Sequence, residues 1–587
     1  MNKKLLLPVI ALCIASSVSA QSIIKIDKAT QYQKIDGFGA MAENLPDWGS
    51  FKDMDATFVN TFIDDLGCTI FRTAIDGSME TKNDNNDPNN LNLAGYSLGS
   101  APGGCDGDYH IPLNYQTKNL KALKTKIESN GDKALFFGTV FSPPAWMKYI
   151  DCVSGTDPIW NRLINSIDEA EKNGTAEVDK DQTDEFAEFC LAYVTILKNA
   201  GIDIMSMNIQ NEPVFGQPFS SCVYTPKSYA LTLGAVAAKL KDKGFATKMM
   251  FTEDISDASR YLQFLRAIID NPAYAEYGNA GIAAIHSYAA NAQTPESSDA
   301  MAWKNLDKIS RYKNANRQFW QTETSGYPDS HEGGMSMAKA IFTALKYGKV
   351  NAWVFLGMTR PIREAGSEHE SLIKVDGSKS DRYYAAKHFY RYIRPGAVHV
   401  NTIQTDNSVM SIAFQNDAKK TLTVVLINPE ATKEQTIKLE GVQTSGMPTK
   451  FQRYLTTSNG NQKVADMGSV NFGSTITLPA NSVLTLVGEG SLPEAPTASE
   501  DAEKIEAAQQ LVLYPNPTKG LLTIVLPNGN FTELNVLDVA GRTVYSQLIK
   551  LTNNNSESLD LSVLQKGVYI ILAKGVTATL RKKIVIE

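Results

Sequence analysis

Between residues 35 and 396 the chain alternates short apolar runs with amphipathic helical patterns, and it does so eight times. The runs occupy 37–44, 69–76, 133–144, 204–213, 248–254, 282–288, 318–326 and 352–357, with a helical segment after nearly every one. A strand followed by a helix brings the chain back to a parallel neighbour, and eight such returns are enough to close a barrel. The expectation is an α/β chain whose residues 35–396 form a (β/α)8 TIM barrel. One helix shows its grammar openly: Thr225 can cap it, Pro226 suits its first turn, and Gly244 ends it. Leu233, Val236, Ala237 and Leu240 recur there at i, i+3, i+4 and i+7, one apolar face.

After Gly396 the texture changes to period-two runs at 409–414, 421–427, 436–439, 451–455 and 475–487, with no helical pattern between them. This predicts a β-sandwich side domain over 397–488, to which residues 21–34 add a strand at 23–26. Residues 489–510 carry Pro493, Pro496, Glu500, Asp501 and Glu503 with few apolar side chains, which reads as a solvated linker. Residues 511–587 return to strands punctuated by Pro and Gly, the pattern of a small C-terminal β-sandwich.

Lys3 and Lys4 precede an apolar run at 5–15, and Val18-Ser19-Ala20 stands before Gln21. That order predicts a secretory signal peptide over residues 1–20. The run is too short to span a bilayer, and no stretch of about 18 apolar residues occurs elsewhere, so no transmembrane segment is expected. With 57 basic and 63 acidic residues the net charge is −6, which excludes a protein that coats nucleic acid. Loss of the leader removes Cys13 and leaves Cys68, Cys105, Cys152, Cys190 and Cys222, an odd number in an oxidising compartment. Cys68 and Cys190 sit in apolar patterns as core residues, while Cys105, Cys152 and Cys222 lie in polar loops and leave open which two form a disulfide. The histidines are scattered without metal-ligand spacing, so neither a metal nor another cofactor is expected.

In such barrels the reacting groups stand at the C-terminal ends of the strands. The fourth run closes on Gln210-Asn211-Glu212-Pro213 and the seventh on Trp320-Gln321-Thr322-Glu323. Strict alternation along the fourth sends Met205, Met207 and Ile209 toward the helices and Ser206, Asn208, Gln210 and Glu212 inward. Strands four and seven face each other across the mouth, so Glu212 and Glu323 are placed to flank a bound group. Two opposed carboxylates suit glycoside hydrolysis, where one protonates the leaving oxygen and the other meets the oxocarbenium centre. Glu253 and Asp254 end the fifth strand with the same logic and are read as a decoy pair.

The ordered blocks Asp36-Gly37-Phe38-Gly39, Phe71-Arg72, Ser142-Pro143-Pro144-Ala145-Trp146-Met147-Lys148, Asn211-Glu212-Pro213, His286-Ser287-Tyr288, Trp320 to Glu323 and Arg394-Pro395-Gly396 resemble glycoside hydrolase family 30. The resemblance implies a retaining β-glycosidase in which Glu212 is the acid/base and Glu323 the nucleophile. It also implies a substrate-binding shell of Asn211, Arg72, Trp146, His286, Tyr288 and Trp353, with Arg72 keeping Glu323 ionised and Asn211 reaching a sugar 2-hydroxyl. The substrate class is a polysaccharide, with endo-acting cleavage of xylan favoured; β-1,6-glucan, β-1,6-galactan and glucosylceramide are the alternatives within the family. Arg360 and Arg363, after the eighth strand, are candidates for holding a substrate carboxylate. A non-catalytic surface carbohydrate-binding protein on the same barrel is the alternative of another class. Residues 511–587, with Tyr514-Pro515-Asn516-Pro517, Asp538-Val539-Ala540-Gly541-Arg542 and Lys566-Gly567-Val568-Tyr569, resemble the C-terminal sorting domain of the type IX secretion system. That resemblance implies passage across the outer membrane by that machinery, to the cell surface or beyond.

Overall fold

The computed structural model describes residues 21–587 apart from 43–55, 100–111, 175–179, 255–257, 289–298, 360–366, 489–511 and short stretches at 375, 443–445, 461, 515, 527–530, 539–541, 549–555 and 576–578. The expected signal peptide, the linker, Cys105, Arg360 and Arg363 lie outside the described residues. The chain divides into two units, residues 1–493 and 494–587.

In the first unit eight parallel strands close a barrel in chain order: Gly37–Met41, Ile70–Ile75, Leu135–Val140, Ile204–Asn208, Lys248–Asp254, Ile282–His286, Phe319–Glu323 and Ala352–Phe355. Closure is made by pairing the first with the eighth, Phe38 opposite Trp353. An apolar plug that includes Ile70, Phe137, Met250, Trp320 and Val354 fills the floor, with the Phe137 and Trp320 rings edge to face at 5.7 Å. The barrel is therefore a packed core, and polar side chains collect above the plug. The helix Pro226–Asp242 carries the anticipated cap: Ser228 N donates to Thr225 Oγ1 at 3.2 Å and Thr225 N donates to Ser228 Oγ at 3.0 Å. Its face of Leu233, Val236, Ala237 and Leu240 is buried against the barrel.

Met205 departs from the expected alternation. The register shifts between the Ile204 and Ser206 pairings, so Met205 packs on the interior plug while Met207 and Ile209 face the helices. A bulge inserts one residue and inverts the faces before it, which a period-two reading cannot see.

The side domain is a nine-stranded sheet in which Ser22–Lys34 pairs antiparallel with Val398–Gln404 and parallel with Gln435–Gly441. Both layers of the sandwich belong to this one sheet, which curls on itself: Phe451 and Ile476, near its opposite ends, share one apolar core. It is fastened to the barrel through His388 on the helix Asp381–Tyr390, whose ring nitrogens lie 2.8 Å from the hydroxyls of Thr485 and Thr456. Burial, with Lys387 nearby, pushes that imidazole down to about 3, so it is neutral. Arg394 knits the end of the barrel region together, donating to the carbonyls of Gly67 and Tyr390 at 2.6 and 3.1 Å and pairing with Asp132 at 2.5 Å, and Asp132 in turn pairs with Lys419 of the side domain at 3.1 Å. The Arg-Pro-Gly block thus has a structural task.

The second unit packs a sheet of Val512–Tyr514, Leu521–Val525 and Ser556–Asp560 against one of Phe531–Leu537, Thr543–Leu548, Gly567–Gly575 and Thr579–Ile586. Leu522, Ile524, Val536, Ile571 and Ile584 fill the space between them. Cys68, Cys190 and Cys222 are buried free thiols, whereas Cys152 is disulfide-bonded. Cys222 is thereby removed from the expected candidates; it is fully buried within the loop after the fourth strand, beside Lys148 and Tyr224.

Candidate active site

Four barrel strands supply the charged groups above the plug. Arg72 rises from the second strand, Glu253 from the fifth, His286 ends the sixth and Glu323 ends the seventh. Asn211 and Glu212 follow the fourth, where the chain leaves the sheet. Glu212 adopts φ +48°, held as its N–H donates to the Glu253 carbonyl at 3.0 Å. Glu253 is itself at φ +51°. Two non-glycine residues in the left-handed region on adjacent strands are costly, and such strain concentrates where side chains must be aimed.

Arg72 is fully buried and touches four side chains around the site. One arm pairs with Glu323, another donates to Asn211 Oδ1 at 2.6 Å, and its Nε donates to Thr139 Oγ1 at 3.1 Å with Glu253 Oε1 at 3.4 Å. The Tyr288 hydroxyl hydrogen-bonds Glu323 Oε1 and lies 3.5 Å from Glu212 Oε1. His286 Nδ1 is 2.9 Å from Glu212 Oε1 and 3.8 Å from Glu323 Oε1. Gln217 Nε2 donates to the other Glu212 oxygen at 2.6 Å. One carboxylate oxygen each from Glu212 and Glu323, with one His286 nitrogen, lie within 4.8 Å of one another.

The electrostatics follow from this packing. Burial alone would raise Glu323, but the charges of His286 and Arg72 and the Tyr288 hydroxyl outweigh it and lower it. Burial would likewise raise Glu253; Arg72, then His286 and Thr139, hold it at about 2. For His286 burial acts downward, yet Glu323, Glu212 and Glu253 together lift the ring to about 10. The imidazole is thus a buried cation among three glutamates, and in that state it has no lone pair to offer a metal.

Of the residues singled out from sequence, Arg72, Asn211, Glu212, His286, Tyr288 and Glu323 form this one cluster. Trp146 sits half-buried in the loop after the third strand, its indole N–H donating to the Glu80 carbonyl at 3.2 Å. Trp353 does not belong to the site. Ala352 and Val354 face the barrel interior, so Trp353 faces outward, 2% exposed, with its ring 6.3 Å from that of Tyr390. Strand parity forces this, and the same parity could have been read from Ala352 and Val354. Glu253, read as a decoy, lies beneath Arg72 and accepts from Thr139 and Asn208 at 2.5 and 2.9 Å. Gln217 carried no sequence signal. It reaches Glu212 because its loop is stitched to the preceding one, with Gly155 N donating to its carbonyl at 2.9 Å.

A closed eight-stranded barrel with a side sheet is the fold that comparison with known proteins also returns. Over 342 residues the chain is 22% identical to a glucuronoxylanase, XynC, of Bacillus subtilis (strain 168), which covers 56% of this chain and 72% of that protein. Among solved structures, a family 30 endoxylanase from Clostridium papyrosolvens C71 superposes with a TM-score of 0.57 at 20% identity, over 80% of this chain and all of that one. The endo-β-1,6-glucanase BT3312 gives 0.54 at 18% identity, over 80% of this chain and 95% of that chain. The barrel and its side sheet therefore have the fold of glycoside hydrolase family 30. Residues 512–587 match the family model of the secretion system C-terminal sorting domain. This type IX sorting tail marks the chain for export to the cell surface or the medium, and no helix among the described residues is long and apolar enough to cross a membrane.

Proposed function

We propose that the exported chain is a retaining glycoside hydrolase, with Glu323 as nucleophile and Glu212 as acid/base. The observation that carries this reading is the short approach of the two carboxylates, within 4.8 Å oxygen to oxygen. Carboxyl groups about 5 Å apart leave no room for an attacking water, whereas inversion needs about 6.5–9.5 Å. In the first step a Glu323 oxygen bonds to the anomeric carbon as the glycosidic C–O bond breaks and Glu212 gives its proton to the departing oxygen. In the second, Glu212 takes a proton from water, whose oxygen bonds to the anomeric carbon and frees Glu323. Arg72 and Tyr288 keep Glu323 ionised and aimed, and Asn211, with its Oδ1 engaged by Arg72, presents its amide N–H groups to the sugar.

The substrate we favour is xylan, cleaved internally. The similarity to xylanases in sequence and fold supports this, and so do the exposed faces of Trp160, Phe215 and Phe219 on the two loops that flank Glu212, which suit a long chain of sugars. The glucanase likeness supports β-1,6-glucan as the second reading. Purified protein offered xylan, β-1,6-glucan, β-1,6-galactan and aryl β-glycosides, with product sizes resolved, decides between them. Binding of these polysaccharides with no product from any of them would instead make the chain a carbohydrate-binding protein. A mechanism-based fluorosugar that labels a peptide lacking Glu323 would overturn the nucleophile.

A further inference from the structure

The loop after the fourth barrel strand folds back on the loop after the third, and a buried ammonium joins them. Lys148 Nζ donates to Ser142 Oγ and to the Val153 carbonyl, both at 3.1 Å, and to the Ser221 carbonyl at 2.7 Å. Ser221 N donates to the Val153 carbonyl at 2.9 Å, and the Ser221 hydroxyl accepts from Asn161 Nδ2 at 2.9 Å and from Gln217 N at 3.0 Å. At Gly216 the two backbones run so close that an added Cβ would stand 3.0 Å from the carbonyl oxygens of Gly155 and Thr156. With its N–H given to Ser221 and its carbonyl held by Gly155 N, Gln217 has a fixed backbone and a buried side chain aimed at one place. Its Nε2 donates to Glu212 Oε2 at 2.6 Å, while its Oε1 is buried with no hydrogen-bond partner among the described residues.

A buried amide oxygen without a donor costs free energy, so an amide held there with one end unmet points to a task for the other end. We propose that Gln217 is a positioning residue that fixes the Glu212 carboxylate for its second task, taking a proton from water; this rests on the reading of Glu212 as acid/base. His286 and Tyr288 stand on the Oε1 side of that carboxylate, at 2.9 and 3.5 Å, and Gln217 supplies the donor for the other oxygen. A donated hydrogen bond fixes a carboxylate's rotation and favours its ionised form, the form that must receive the proton as the glycosyl-enzyme opens. An ammonium in the same place would hold the negative charge through both steps and oppose the first. A neutral amide directs the group without adding charge.

The test follows both steps in full-length wild type, Glu212→Gln and Gln217→Met on dinitrophenyl β-xylobioside, or on the β-gentiobioside if glucan is the substrate. This leaving group needs no proton, so forming the glycosyl-enzyme does not call on Glu212 and opening it does. In Gln217→Met, kcat should fall by about tenfold and KM with it, as glycosyl-enzyme accumulates, while kcat/KM changes by less than about threefold. Azide bonds to the anomeric carbon as the Glu323 ester bond breaks, with no proton to remove, so added azide should restore kcat and give the β-glycosyl azide. Methionine matches glutamine in length and loses the hydrogen bond and the unmet oxygen together, so the variant is expected to fold. Ser221→Ala, which removes only the hydroxyl that holds the Gln217 backbone, should show the same split at about threefold in kcat and decides the matter if Gln217→Met does not fold. Wild-type kcat in Gln217→Met, or equal losses in kcat and kcat/KM without azide rescue, would overturn the proposal. Absence of azide rescue in Glu212→Gln would instead overturn the acid/base reading beneath it.

Discussion

His286 Nδ1 lies 2.9 Å from Glu212 Oε1, with the ring fully buried and lifted to about 10 by the glutamates around it. Its ordinary value is 6.5, so the folded state binds this proton more tightly than the unfolded chain does. The resulting stability is fully present below about pH 6.5 and is lost as the pH rises through about 10. Urea midpoints measured between these limits should fall steadily in the wild type. His286→Asn, which cannot titrate, should show a flatter profile; parallel profiles would count against a charged ring.

The two carboxylates should separate by leaving group. Glu323→Gln is expected to fold and to lose turnover on every substrate. Glu212→Gln should lose about 10²–10⁴-fold on polysaccharide, where the leaving oxygen needs a proton, and far less on aryl glycosides with acidic leaving groups. Added azide should restore turnover of those aryl glycosides in Glu212→Gln with retained stereochemistry, read by product analysis. Equal losses on both substrate types would remove Glu212 from the acid role.

Glu253 is expected to act as a positioning residue, since its carboxylate lies 3.4 Å from Arg72 and makes no hydrogen bond to the side chain of Glu212 or Glu323. Glu253→Gln leaves Arg72 and His286 short of a counter-charge and should cost on the order of 3 kcal/mol of stability at neutral pH. Because Glu253 is held at about 2 against an ordinary 4.5, its contribution is present above pH 4.5 and is lost as pH falls through about 2. The stability gap between wild type and variant should therefore close on acidification. A gap that persists unchanged in acid would mean a packing defect instead.

Gly39 on the first barrel strand has no room for a side chain: an added Cβ would stand 1.6 Å from the backbone oxygen of Ile70 on the neighbouring strand. A backbone carbonyl committed to the sheet cannot swing aside. Gly39→Ala should prevent barrel closure and yield insoluble or protease-sensitive protein, whereas Gly460→Ala, at an exposed turn with nothing within 4 Å, should cost much less. Soluble, active Gly39→Ala protein would contradict the observed strand spacing.

The eight strands, the acidic ends at Glu212 and Glu323 and the separate C-terminal strands were legible because they are local properties: residue period, run length and the polar residue that ends each run. Asn211, Arg72, Tyr288 and His286 were legible as neighbours in short blocks, although the block around His286 said nothing of the charge it would carry. Trp353 was misplaced because a strand's inward face depends on which residues its partners bury, and Met205 because a bulge shifted the count. Glu253 and the Gln217 contact with the Glu212 carboxylate acquire their meaning only from how the loops and strands fold together. A carboxylate's charge, aim and partners are set by what surrounds it in space, and periodicity along the chain records only which side of its own element a residue takes.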